Sequence, residues 1–184
     1  MKLPFNWMKL LASLLLINCC VTTYAQKYKS EESVITFFSE AAIENIAATN
    51  SKSTSLFNTE TGEIAFLVPI DGFTFEKSLM QQHFNEKYME SHKFPTASFK
   101  GKIIGVEKAL RGEPEVQAVG QLSIHGQTQE IETAGLLKLV NGKITMSSSF
   151  MIELEDYKIK IPRLLWQNIA ERVEVKVEFT YDHL

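Results

Sequence analysis

The chain has 184 residues, with 19 basic and 22 acidic side chains, four histidines and a formal charge of −3. An acidic balance excludes the basic stripe that a nucleic-acid partner requires. Both cysteines, Cys19 and Cys20, lie near the N-terminus.

That N-terminus reads as an export signal. Lys2 and Lys9 supply positive charge, Leu10 to Ile17 is an apolar run, and Thr23-Tyr24-Ala25 offers a small-x-small cleavage site. The run is too short to anchor a protein across a bilayer. Leu16-Ile17-Asn18-Cys19 approaches a lipoprotein signal, but Asn18 is a poor fit before a lipidated Cys19, so soluble export to the periplasm or beyond the cell ranks above lipidation. Cleavage after Ala25 leaves 159 residues (184 minus 25) without thiols, carrying 17 basic (19 minus 2) and 22 acidic groups, a charge of −5. This remainder, 26–184, has the size of one domain able to bury a core without disulfides.

From there the dominant signal is alternation with a period of two. Strands are expected near Ser33–Phe38, Ser53–Asn58, Glu63–Ile70 and Thr96–Val106. Val116, Ala118, Gly120, Leu122 and Ile124 then share one face, as do Ile131, Thr133, Gly135, Leu137 and Leu139. Asn141-Gly142 is a strong hairpin signal. Ile144, Met146, Ser148, Phe150, Ile152 and Leu154 alternate beyond it, and Val173, Val175, Val177, Phe179 and Tyr181 point inward on the last strand. About eight antiparallel strands with one apolar face each must close into a barrel or stack as two sheets. An eight-stranded barrel is either filled by its side chains or holds one small ligand.

Three segments break the pattern: Ala41–Ala48 as a short helix, Glu76–Ser91 as the main helix, and Arg163–Glu171 as a helical turn. In the main helix Leu79, Met80, His83, Phe84, Tyr88 and Met89 recur at helical steps, and His92-Lys93-Phe94-Pro95 stops it. A lone helix among strands has no helical neighbour, so its apolar face must cover a sheet or close one end of the barrel.

No signature of catalysis is present: no His-Glu-x-x-His, no Gly-x-Ser-x-Gly, no phosphate loop. His83, His92, His125 and His183 lack metal-ligand spacing, so neither metal nor cofactor is expected. Glu113/Glu115, Glu130/Glu132 and Glu153/Glu155 each share a strand face, on the solvated side, where nothing would shift a pKa.

Three blocks resemble the YceI-like family of exported bacterial barrels. They are the main helix running into Lys93-Phe94-Pro95-Thr96-Ala97-Ser98-Phe99, the run Gly120 to Thr128 with its Gly-x-Leu-x-x-x-Gly-x-Thr pattern, and Phe150 to Ile161 leading to Val173–Phe179. The resemblance implies a lipocalin-like barrel that binds polyisoprenoids or other long-chain amphiphiles, with the helix helping to enclose a narrow apolar cavity. It implies that Leu79, Met80, Phe84 and Tyr88 touch a ligand tail. Two departures stand out: Glu32-Ser33-Val34 replaces the family's His-Ser pair, and Leu79-Met80 replaces its Arg-Asp pair, so head-group preference does not carry over.

The expected function is therefore a carrier for a polyisoprenoid, quinone-like lipid or fatty-acid derivative, without catalytic residues. The expected cavity wall is Phe66, Val68, Leu79, Met80, Phe84, Tyr88, Phe99, Leu122, Ile124, Phe150, Ile152, Val175 and Val177. The expected partner is a long-chain apolar small molecule; homodimerisation is left open, and neither nucleic acid nor stable membrane insertion is expected. The rivals are a solid barrel that docks a protein through loops such as Glu107–Glu115, and a lipid-modifying enzyme using His83 or His125.

Overall fold

The computed structural model describes residues 27–40, 45–160 and 171–184. The expected leader and most of the helical turn at Arg163–Glu171 lie outside the described residues. So does the first half of the helix expected over Ala41–Ala48; its second half is corrected, because Ile46–Ala48 belongs to a strand.

Ten strands form one antiparallel sheet: β1 (Lys27–Ser39), β2 (Ile46–Asn50), β3 (Thr54–Asn58), β4 (Glu63–Pro69), β5 (Phe73–Phe75), β6 (Thr96–Ile104), β7 (Glu115–Ile124), β8 (Gln127–Val140), β9 (Lys143–Glu153) and β10 (Arg172–His183). Pairing of β10 with β1 closes the sheet into a barrel. Ten strands make eight staves because two staves are broken. Partners in β1 and β2 sum to 85, as in Ile35 with Asn50, and so do those in β1 and β3, as in Lys29 with Leu56. So β2 and β3 are one stave interrupted at residues 51–53. Alongside them, β4 pairs with β3 and β5 with β2, across the short helical turn Ile70–Gly72.

Asn50 holds the two breaks together. Fully buried, it donates from Nδ2 to the Pro69 carbonyl at 2.7 Å, while its Oδ1 accepts from the Lys52 N–H at 2.8 Å and the Ser53 hydroxyl at 3.2 Å. The interruption costs main-chain ladder bonds, and one amide replaces several of them. Gly72 makes room for it: a Cβ there would lie 2.7 Å from Asn50 Nδ2.

The barrel has a filled half and a hollow half. Phe57, Phe99, Leu137, Ile144 and Tyr181 are almost wholly buried and occupy the first. A short helix α2 (Val106–Leu110), in the stretch expected as an exposed loop, buries Val106 and Ala109. In the other half the ladder parts. The pairs of β8 with β9 run from Val140/Lys143 only to Gly135/Ser148, after which β8 stays with β7 and β9 with β10. The Ser148 hydroxyl bridges the fork by donating to the Ala134 carbonyl at 2.6 Å. Further along, the Gln129 amide donates to the Asp156 carbonyl at 2.9 Å.

Helix α1 (Ser78–His83) continues into a π-turn, Phe84–Tyr88, shorter than the expected Glu76–Ser91. No helix among the described residues is long and apolar enough to cross a membrane.

Candidate ligand-binding site

The hollow half encloses a cavity of about 310 Å³. Its walls come from β1, β2, β4, β5, β6, β7, β9, β10 and the α1 segment, and the residues that β4, β7, β9 and β10 contribute to the lining are all apolar. Phe37, Phe73, Phe75 and Phe84 form one aromatic cluster, with Phe84 stacked on Phe37 at 5.4 Å and tilted against Phe75 at 5.0 Å. This cluster docks α1 onto the barrel. Rigid rings at an edge-on or stacked spacing hold their positions without filling the space beside them.

Of the residues expected to form the wall, Phe66, Val68, Met80, Phe84, Tyr88, Leu122, Ile124, Phe150, Ile152, Val175 and Val177 line this cavity. Two do not. Leu79 is 61% exposed on the outer side of α1; helical spacing placed it with Met80, but adjacent residues of a helix diverge by about 100° and only one of them can face in. Phe99 is buried beneath the cavity, stacked under Phe66 at 4.9 Å, and Phe66 also meets Phe179 at 5.5 Å. These three rings separate the hollow half from the filled one. Sequence reasoning missed Ile35, Phe37, Ile70, Phe73, Phe75 and Val173, which also line it. Phe73 and Phe75 alternate and could have been found; Ile70 lies in the turn between two broken strands, which no periodicity marks.

The three blocks that carry the resemblance meet at one corner. His125 and Gly126 form the β7–β8 hairpin, both with positive φ (50° and 72°), and the Phe94 ring packs edge-on to His125 at 4.4 Å. A Cβ at Gly126 would lie 2.7 Å from that ring, so the glycine is required for Phe94 to seat. His125 is bonded on both nitrogens, Nδ1 to the Tyr157 carbonyl at 3.1 Å and Nε2 to Glu90 Oε2 at 3.3 Å. Lys93 bonds the same carboxylate and, with His125, holds it below the usual carboxylate range. His125 thus has an acidic partner the sequence did not reveal, but the ring is a tie between the α1 exit and the hairpin, outside the cavity lining. His83 does line the cavity.

Glu130 and Glu132 share the outer face of β8 as expected, whereas Glu113 and Glu155 are corrected, because the first precedes β7 and the second lies in the turn after β9. Glu130 accepts from Gln121 at 2.8 Å, Glu132 accepts from Gln117, and Glu153 pairs with Arg172. No group of three or more His, Cys, Asp or Glu side chains that could hold a metal occurs among the described residues.

Solved structures with the same fold include BcnA of Burkholderia cenocepacia (TM-score 0.69, 13% identity, covering 80% of this chain and 95% of that one). A polyisoprenoid-binding domain from Saccharophagus degradans, implicated in plant cell wall breakdown, superposes with TM-score 0.73 at 15% identity, over 85% of this chain and 98% of that one. The YceI protein of Campylobacter jejuni matches with TM-score 0.62 at 15% identity, over 77% and 86%. No curated protein matches the chain in sequence. The model of the YceI-like domain matches residues 27–181, nearly the whole of the barrel just described, and the chain therefore belongs to the YceI-like family.

Proposed function

We propose that this protein is an exported carrier that holds one long apolar molecule in the hollow half of its barrel. The observation that carries the reading is a cavity of about 310 Å³ walled by aliphatic and aromatic side chains, in a barrel whose other half is filled. At the roughly 30 Å³ that a water-sized group occupies in a liquid, the cavity accepts about ten carbon-sized groups. Burying ten methylenes contributes about 8 kcal/mol, comparable with the roughly 4–15 kcal/mol cost of association. The Lys2, Leu10–Ile17 and Thr23–Ala25 pattern supports passage through an export route, where a water-insoluble chain needs shelter. The polyisoprenoid-binding domain of the same fold supports an isoprenoid-type ligand.

Mass spectrometry of an organic extract of the protein, purified after export in a bacterial host and compared with its native mass, tests this. The expected result is a stoichiometric long-chain lipid, lost when Phe150→Glu places a charge in the wall of the folded protein. An empty protein from several preparations, or unchanged lipid in folded Phe150→Glu, overturns the reading and favours a barrel that docks a protein.

A further inference from the structure

Among the described residues, three of the cavity lining carry polar oxygen or nitrogen in their side chains: Ser39, His83 and Tyr88. Ser39 is nearly fully buried and has an interaction of its own. The His83 imidazole and the Tyr88 hydroxyl are half-buried, and neither has a hydrogen-bond partner among the described residues. Both sit on the segment where the helix changes type. The Met89 N–H donates to the Phe84 carbonyl, five residues back, at 2.8 Å. On a regular α-helix residues 83 and 88 would point about 140° apart; the wider π-turn reduces that angle and brings both side chains to the cavity. Such turns interrupt the normal ladder and concentrate at functional sites. Here the interruption has a visible cost: Asn85 gives its Nδ2 to the Gln81 carbonyl at 3.1 Å and leaves Oδ1 buried without a partner.

We propose that His83 and Tyr88 together receive the polar end of the ligand, and that this end is an uncharged oxygen function, a hydroxyl or a carbonyl. The inference rests on the carrier reading and specifies its ligand. The imidazole and the phenol each donate or accept, which matches an alcohol or a carbonyl oxygen. Among the described residues, no Lys, Arg, Asp or Glu lines the cavity. A carboxylate or phosphate end would therefore enter without a counterion, and an unpaired buried charge is far more costly than a bonded neutral group. An unfunctionalised hydrocarbon would cover both protein groups without giving either a partner, which also weakens binding.

The test uses delipidated protein and three probes with one chain, dodecanol, dodecanoate and dodecane, each measured by displacement of a fluorescent apolar dye. Dodecanol is expected to bind about tenfold or more tightly than either of the others. In His83→Leu/Tyr88→Phe the preference of dodecanol over dodecane should vanish, with dodecane binding more tightly because no polar group is left without a partner. Tyr88→Phe alone, which removes one oxygen and keeps the ring, should cut the preference for dodecanol over dodecane by about tenfold. Preference that persists in the double variant, or dodecanoate binding as tightly as dodecanol, overturns the assignment and leaves the carrier standing. Failure of all three probes to bind overturns the carrier reading and this inference with it.

Discussion

Ala97 is the smallest side chain in the cavity wall. It lies on β6 opposite Val68 of β4, and both line the same space. Ala97→Leu adds three carbons, about 90 Å³ at roughly 30 Å³ each, less than a third of the 310 Å³ present. If that space is hollow, the added carbons are buried at about 0.8 kcal/mol each. Subtracting about 0.5–1 kcal/mol for the ordered Leu side chain, the delipidated variant gains about 1.5 kcal/mol. For a domain of this size that raises Tm by about 3–6 °C. The same three carbons take three of about ten ligand positions, so dodecanol affinity should fall by about 2.4 kcal/mol, or some fiftyfold. Both proteins must be stripped of lipid, because a bound ligand would add its own stabilisation to the wild type. Differential scanning calorimetry and dye displacement read the two effects. A lower Tm, from the roughly 1–3 kcal/mol that overpacking a filled core costs, together with unchanged dodecanol binding, would refute the hollow half.

In the filled half, a Cβ at Gly120 would lie 2.4 Å from the Lys100 carbonyl oxygen and 2.5 Å from Gly101 Cα. Because both neighbours are main chain, Gly120→Ala should cost about 3 kcal/mol, near the top of the overpacking range, measured by urea unfolding; a change under about 1 kcal/mol would mean that β6 and β7 can separate there. At alkaline pH, burial pushes the Tyr157 hydroxyl up to about 12 and raises Tyr88 and Tyr181 as well. The unfolded chain releases these protons near the ordinary phenol value of about 10. Above that value it binds fewer protons than the folded state, so stability is intact below pH ~10 and falls as pH rises through the folded values. The urea midpoint should drop between about pH 10 and 11.5 and drop less steeply in Tyr157→Phe; equal slopes would show that Tyr157 is not the protected group.

Period-two alternation made the barrel legible because one inward face is a local property. β7 and β10 follow it along their length and β8 from Ile131 to Leu137, while Leu139, expected on the inward face, is half exposed at the end of the barrel; Asn141-Gly142 forms its hairpin with both residues at positive φ. The broken staves were not legible. Lys52 and Ser53 carry no breaker signal, and the break depends on Asn50 reaching Pro69, nineteen residues away. The helical reading of Ala41–Ala48 failed for a related reason: Ala47 and Ala48 favour helix by propensity, and pairing of Phe37 with Ala48 and Phe38 with Ala47 overrides it. For the site, the apolar identity of the wall could be read and its depth could not. Phe66 and Phe99 pair across β4 and β6 and share a face, yet one ring lines the cavity and the other lies under it. Distance along the barrel axis decides between them, and no residue type encodes that distance.

The same topology that resists reading explains why a cavity survives at all. An eight-stranded barrel has an interior that side chains can fill, and they do fill it where the ladder is continuous, around Phe57, Phe99, Leu137, Ile144 and Tyr181. Beside the hollow half main-chain pairing is given up: between β8 and β9 beyond Gly135/Ser148, and where β5 follows β2 after β4 has ended its pairing with β6 at Pro69/Thr96. Each parting leaves donors and acceptors that would otherwise be costly, and each is met by a local polar device, Ser148 and Gln129 at the first, Asn50 at the second. The α1 segment then docks its aromatic face against Phe37, Phe73 and Phe75. The most deeply buried side chains lie in the half that does not bind, and the partings beside the cavity are bridged by Asn50, Gln129 and Ser148, none of which lines it. A substitution in the filled half should therefore lower Tm without changing ligand preference, and one at His83 or Tyr88 should do the reverse.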